Sequence, residues 1–266
     1  MNSRPSFAVF VKPWKHLSIP EVGAHVKRLG FDLIELPVRP GFACQPETIE
    51  RDLPQAVRML ADLGVRVLNV TVALSLDDER LYAASAEAGI RMNRVIFGRN
   101  GLPYWEAEAR ARRQLDAALP FCERYGFQIG IQHHYGNSVP VNSMGLYNLV
   151  KDYNPRHVGA IWDPAHNALQ GEDPDSGLDM VRSHLCVINL KNAYWRRTSG
   201  PEAEVAEWQV YWTSGRQGRA SWPAVATKVK AMGYTGPICF SAEYSAEHEV
   251  DRLIAEDLAF ARVILG

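Results

Sequence analysis

The stretch Glu123–His134, ERYGFQIGIQHH, decides the fold. It leaves a helical pattern at Tyr125, passes one glycine and enters an apolar strand at once. Gly126 supplies the left-handed conformation that ends a helix, so helix and strand are joined by a very short connection. The same unit recurs along the chain. Ala61–Gly64 leads into VRVLNVTVAL, Ala86–Gly89 into IRMNRVIFG and Ala231–Gly233 into YTGPICFSAE. Near the start, Ser18–Glu21 has the S-x-x-E form of a capping box, Val22, Val26 and Leu29 follow at helical spacing, and Gly30 precedes FDLIELP. Two further junctions use other breakers, Pro155 before RHVGAIWD and His184 before LCVINLKN. Helix-to-strand steps at this cadence imply parallel strands joined by crossover helices.

Strands are expected near 7–12, 31–36, 65–73, 93–98, 127–134, 157–163, 184–192 and 237–243, with a last helix carrying Val250, Leu253, Ile254 and Leu258 on one face. Eight strands and eight helices in 266 residues favour an α/β fold of one domain, residues 1–266, closed as a (β/α)₈ barrel rather than an open sheet. A net charge of −1 supplies no field for nucleic acid or an anionic membrane. Cys44, Cys122, Cys186 and Cys239 are scattered, with no CxxC pair, and read as reduced thiols. The N-terminal residues lack a long apolar run, and no window reaches the ~20 apolar residues of a membrane span. A cytoplasmic protein is expected, with self-association left open.

In a (β/α)₈ barrel the chemistry sits at the carboxyl ends of the strands. VGAIWDPAH, residues 158–166, shows such an end: a buried strand stops on Asp163 because Pro164 forbids further pairing. Asp163 reads equally well as a helix cap or as a ligand, with His166 three residues on. The other strands end on Lys12, Glu35, Gln132 with His134, Asn189 with Lys191, and Glu243. Alternation along a strand sends Gln132 and His134 in one direction, and Asn189 and Lys191 in one direction. Singly each is an ordinary structural hydrogen bond. Together they form a polar rim, which is costly unless it binds something. Ala193–Ala220, between strand 7 and the next helix, is longer than most connections in compact domains. With Tyr194, Trp195, Trp208, Tyr211, Trp212 and four arginines it reads as a lid, its aromatics (Trp195, Trp212) stacking on a sugar and Arg196 meeting an anion.

The segments IQHHYGN (131–137), WDPAHN (162–167), VINLKNA (187–193) and ASWPAVATKVKAMGYTGPICFSAEY (220–244), with IELP at Glu35, resemble the sugar phosphate isomerase/epimerase superfamily, the xylose isomerase-like barrels. The likeness spans essentially the whole chain and is densest from Gly126 to Tyr244. It implies a divalent metal held from strands 5 to 8 by Glu, Asp, His and Glu, the two glutamates also moving protons at a sugar carbon. Asp163 and Glu243 match that pattern, whereas Gln132 stands at the strand 5 glutamate position and Asn189 at the strand 7 histidine position. On the resemblance, Gln132, Asp163, Asn189 and Glu243 form the ligand set. This hard, imidazole-free set favours Mn²⁺ or Mg²⁺ over Zn²⁺, with a metal-free site as the alternative.

An amide such as Gln132 cannot act as a general base. Glu243 remains as one proton-transfer group, with Lys191, His134 or His166 as its counterpart, and Lys12 and Glu35 on the rim contact substrate. The expected function is isomerisation or epimerisation of a small sugar, sugar phosphate or cyclitol by removal of a proton next to a carbonyl. A dehydratase or lyase starting with the same step, or a sugar-binding protein without turnover, is the alternative. An abasic-site endonuclease, known in the same superfamily, would need a histidine-rich metal cluster and a basic groove, which Asn189 and the net charge argue against.

Overall fold

The computed structural model of the chain describes residues 5–266. The expected barrel is there. Its strands are β1 (Phe7–Phe10), β2 (Leu33–Val38), β3 (Arg66–Val72), β4 (Met92–Val95), β5 (Gln128–Gln132), β6 (Val158–Trp162), β7 (Leu185–Leu190) and β8 (Ile238–Phe240). All neighbours are parallel, and β8 pairs back onto β1 to close the ring. Gly126 ends the longest helix, Tyr104–Tyr125, at φ 58°, and Gly30, Gly64, Gly89 and Gly233 take the same positive-φ conformation at their junctions. At the first helix, Ile19–Arg28, the capping box forms as the sequence predicts, with the Ser18 N–H donating to Glu21 Oε2 at 2.8 Å. No helix is long and apolar enough to cross a membrane among the described residues.

Two apolar layers build the core. The larger fills the space between strands and surrounding helices, where Ile34, Ile129, Trp162 and Phe240 meet helix residues such as Leu53, Leu115 and Trp222. The smaller lies inside the barrel and consists of Ala8, Phe10, Leu33, Ile161, Val187 and Cys239. Two residues further along each strand, the next inward position is polar: Glu35 after Leu33, Asp163 after Ile161, Asn189 after Val187 and Ser241 after Cys239. Pleating makes this possible, because residues i and i+2 share a face. The barrel is therefore apolar at its floor and polar and charged at its carboxyl face.

Two helices follow β6 where the cadence predicts one: the short Pro164–Leu169 and then Pro174–Val181. The long connection after β7 is an antiparallel hairpin, Asn192–Arg197 paired with Trp208–Thr213. Asn192 pins its base. Its buried side chain donates to the Gly215 and Ala220 carbonyls at 2.9 and 2.8 Å and accepts from the Ala220 N–H at 2.9 Å. A Cβ at Gly218 would fall 2.0 Å from Asn192 Oδ1, so the chain passes this clamp only as glycine.

Each buried hydrogen bond is modest, but the carbonyls stripped of a donor bear a desolvation cost. Asn192→Ala should lower the unfolding free energy by about 2–4 kcal/mol, read from urea denaturation. Arg196→Ala on the exposed hairpin surface should stay within about 0.5 kcal/mol.

Candidate active site

The polar inward positions meet in one network centred on Asp163. Its side chain is wholly buried. Oδ1 accepts the N–H groups of Ala165 at 2.9 Å and His166 at 3.2 Å, so Asp163 does cap the helix that follows. Oδ2 accepts from Gln132 Nε2 and from Asn189 Nδ2, each at 2.7 Å. Lys191 Nζ lies 3.8 Å from the same oxygen. Cap and hub are thus one carboxylate, with its two oxygens divided between the roles. Burial pushes the Asp163 carboxyl upward, and Lys191, Asn189 and the backbone donors counter that push.

Arg94, on β4, extends the network. Its Nε and Nη2 hold Glu35 Oε1 at 2.6 and 2.5 Å, and its Nη1 donates to Gln132 Oε1. A guanidinium only donates and a carboxylate only accepts, so these two neighbours fix which way the Gln132 amide points. On the other side Lys191 Nζ sits 2.9 Å from Glu243 Oε2 and 4.2 Å from the centre of the Trp212 ring. Burial alone would raise the Glu243 carboxyl, but the Lys191 charge and hydrogen bond outweigh it and bring it down to about 2.

The histidines line the wall beside this pair. The His134 and His166 rings lie 4.0 Å apart, and Tyr135 and Trp212 flank His166. His134 Nδ1 contacts the Tyr135 carbonyl at 2.8 Å and must donate to it, which leaves Nε2 as a free lone pair. Burial pushes His134 down to about 4, His133 to about 3, and His166 well below the usual range. They stand neutral at pH 7. Asn189 Oδ1 and His166 Nε2 are buried in the network with no hydrogen-bond partner among the described residues.

Of the residues the sequence singles out, Glu35, Gln132, His134, Asp163, His166, Asn189, Lys191 and Glu243 share this one region. Trp212 covers Lys191 from the hairpin's inner face, where Ala193 and Val210 pack against Ala165 and Leu169. Trp195 is on that face too, its Nε1 donating to the Leu169 carbonyl at 3.2 Å. Lys12 is exposed in the turn after β1, where its charge reaches Glu243. Arg196 does not join the site: strand alternation puts it on the hairpin's other face, over the Tyr211 ring at 4.8 Å. Arg94 was not anticipated, although a charged residue inside the apolar run IRMNRVIFG was a signal for it.

The divalent metal implied by the resemblance can be tested against these donors. Gln132 has committed its oxygen to Arg94, and both amides turn N–H groups toward Asp163. Lys191 occupies the approach to Asp163 and Glu243, the two carboxylates a cation would need. Among the described residues no group of three or more His, Cys, Asp or Glu is arranged to hold a metal. This donor set does not fit a hard divalent cation.

A closed (β/α)₈ barrel with a buried polar network at the carboxyl ends of its strands, covered by an aromatic hairpin, is the scaffold of a small-molecule site. The model of the xylose isomerase-like TIM barrel family matches residues 3–264, and the chain belongs to that family. Among solved structures it is similar to 3-keto-D-glucoside 4-epimerase from E. coli, at 14% identity and TM-score 0.74, covering 98% of this chain and 100% of that one. L-ribulose 3-epimerase gives 14% identity and TM-score 0.74 over 98% and 94%. A probable 3-DHS dehydratase from Bacillus anthracis gives 12% and 0.71 over 97% and 98%. At these identities the likeness is one of fold. No curated protein matches significantly.

The depressed histidines make stability depend on pH. Their folded pKa values lie below the unfolded value near 6.5, so the stabilisation is complete above that pH and is lost as pH falls toward 4 and 3. Asp163, shifted upward, opposes this only below its own folded value. Between pH 6.5 and 5, urea denaturation should show a loss of about 1.4 kcal/mol per pH unit for each fully buried histidine.

Proposed function

We propose that this protein is an isomerase or epimerase of a small sugar or cyclitol that moves a proton next to a carbonyl, with Lys191 supplying the positive charge for the reaction. The observation that carries the reading is the Lys191–Glu243 pair at 2.9 Å under Trp212, on the carboxyl rim of the barrel. A carboxylate held at about 2 is a weak base while the ammonium stays on it. Substrate changes that balance. As Lys191 Nζ turns to the carbonyl oxygen, Glu243 loses its partner and its affinity for a proton rises. It then takes the proton from the neighbouring carbon, and the ammonium stabilises the enolate oxygen formed. Lys191 is preset for this by Asp163 at 3.8 Å and by the Trp212 face.

For isomerisation a proton also passes from the hydroxyl on the deprotonated carbon to the enolate oxygen, and Glu243 returns its own proton to the former carbonyl carbon. For epimerisation, delivery from the opposite face falls to a second group that carries a proton; the Lys191 ammonium does, whereas neutral His134, with a bare Nε2, can only take one up. Asn189 Oδ1 and His166 Nε2, both without partners, suit substrate hydroxyls. A dehydratase would share the first step and then expel a hydroxyl from the next carbon. The alternative of sugar binding without turnover draws support from Gln132, which cannot exchange protons where the family pattern has glutamate.

Exchange of the carbon-bound proton in D₂O, followed by NMR across a panel of ketoses, reads the proposed step directly. The wild type should exchange, and 10 mM EDTA should leave the rate unchanged. Glu243→Gln and Lys191→Met should each cost about 10²–10³-fold. Loss of exchange with EDTA and its return with Mn²⁺ would restore a metal mechanism, and binding without exchange would leave a binding protein.

A further inference from the structure

A second recess opens on the same face of the barrel, past the ends of β2, β3 and β4. It has a volume of about 570 Å³, and its lining includes Arg39, Thr71, Ser75, Arg94, Asn100 and Arg110, with no aspartate or glutamate. Three guanidinium groups facing one recess without an acid is unusual in a chain whose net charge is −1.

The three arginines differ in what they are already doing. Arg94 is spent on Glu35 and Gln132. Arg110 donates to the Gly98 and Arg99 carbonyls. Arg39 is half-buried, and among the described residues its guanidinium makes no ion pair and no hydrogen bond. It lies with Arg94 over the Phe10 ring, at 5.6 and 4.5 Å from the ring centre. Glu35, the one carboxylate close by, is already bound by Arg94. Burial and the Arg94 charge both act against the charged form of Arg39. Holding an unpaired guanidinium beside another one is costly, and the cost is recovered when an anion arrives. Its planar fork suits the paired oxygens of a phosphate or a carboxylate.

Arg94 also connects this recess to the reaction centre. The path runs from Arg94 through Gln132 to Asp163, and Asp163 is the neighbour of Lys191. We infer that the recess is the acid-binding subsite of the same active site, Arg39 taking the terminal phosphate or carboxylate of a sugar whose carbonyl end lies at Lys191 and Glu243. This rests on the proton-transfer reading above and names the substrate class for it: an acidic sugar rather than a neutral one.

Matched probes test it by calorimetric titration: D-ribulose 5-phosphate against D-ribulose, and D-fructuronate against D-fructose. The wild type should bind at least one acidic probe about tenfold more tightly than its neutral partner, and which pair shows the preference identifies phosphate or carboxylate. Arg39→Gln should abolish the preference while leaving the neutral sugar's affinity unchanged and the melting temperature no lower, since among the described residues the guanidinium makes no ion pair or hydrogen bond and its removal relieves the repulsion from Arg94. Arg39→Lys should keep part of it, and Glu243→Gln should keep all of it. Equal affinity within both pairs, failure of every probe to bind, or a preference that survives Arg39→Gln overturns the inference. The two readings fail separately: an acid preference without C–H exchange removes only the chemistry, and exchange without an acid preference removes only the subsite.

Discussion

A carboxylate with no exposed surface must have its charge answered by the protein around it. Asp163 is answered by four N–H donors, two from the helix it caps and two from the amides of Gln132 and Asn189. The rest of the site follows from that requirement. With both amides turned toward Asp163, Gln132 presents its oxygen outward, where only a donor can meet it, and Arg94 does. Arg94 in turn needs a counter-charge, which Glu35 provides. A chain of obligatory donor–acceptor choices therefore runs across the barrel from β7 to β2.

The same chain decides what kind of positive charge the site contains. A divalent cation needs several oxygens free to converge on it, and here those of Asp163 and Gln132 are taken by N–H donors and Glu243 holds Lys191, which leaves the amide oxygen of Asn189. Lys191 lies within ion-pair distance of both Asp163 and Glu243. The fold's carboxyl face keeps a cation at its centre, but the cation is covalently part of the protein. An ammonium on a flexible stem can leave one carboxylate for a substrate oxygen, and the proposed proton transfer depends on that mobility. Arg94 is braced on two sides and lies between the Lys191–Glu243 pair and the arginine-lined recess.

Cover over the site comes from the hairpin after β7, and its position is set at its base rather than its tip. Asn192 and the close approach at Gly218 tie the two ends together, while the Ser245 Oγ accepts the Trp212 N–H at 2.9 Å on the β8 side. Trp212 is thereby held over Lys191, where the face of the ring favours the ammonium. Alternation along the hairpin sends Arg196 the other way, so proximity in sequence to Trp195 gave no guide to its direction.

The barrel and its polar rim follow from local patterns in the chain. Helix, glycine and strand recur because each is a local choice: the left-handed turn at Gly126 or Gly64 and the alternation of each strand are set by neighbouring residues alone. The polar strand ends were legible for the same reason, since a carboxylate or amide two residues beyond an apolar inward position must share its direction. Tertiary structure alone decided who answers whom. That Asp163 is both cap and hub, that Arg94 locks Gln132, and that Arg39 is left without a partner among the described residues depend on residues far apart in sequence. Local pattern says which side chains face inward, whereas charge pairing inside a closed barrel is settled by where the ring brings their tips.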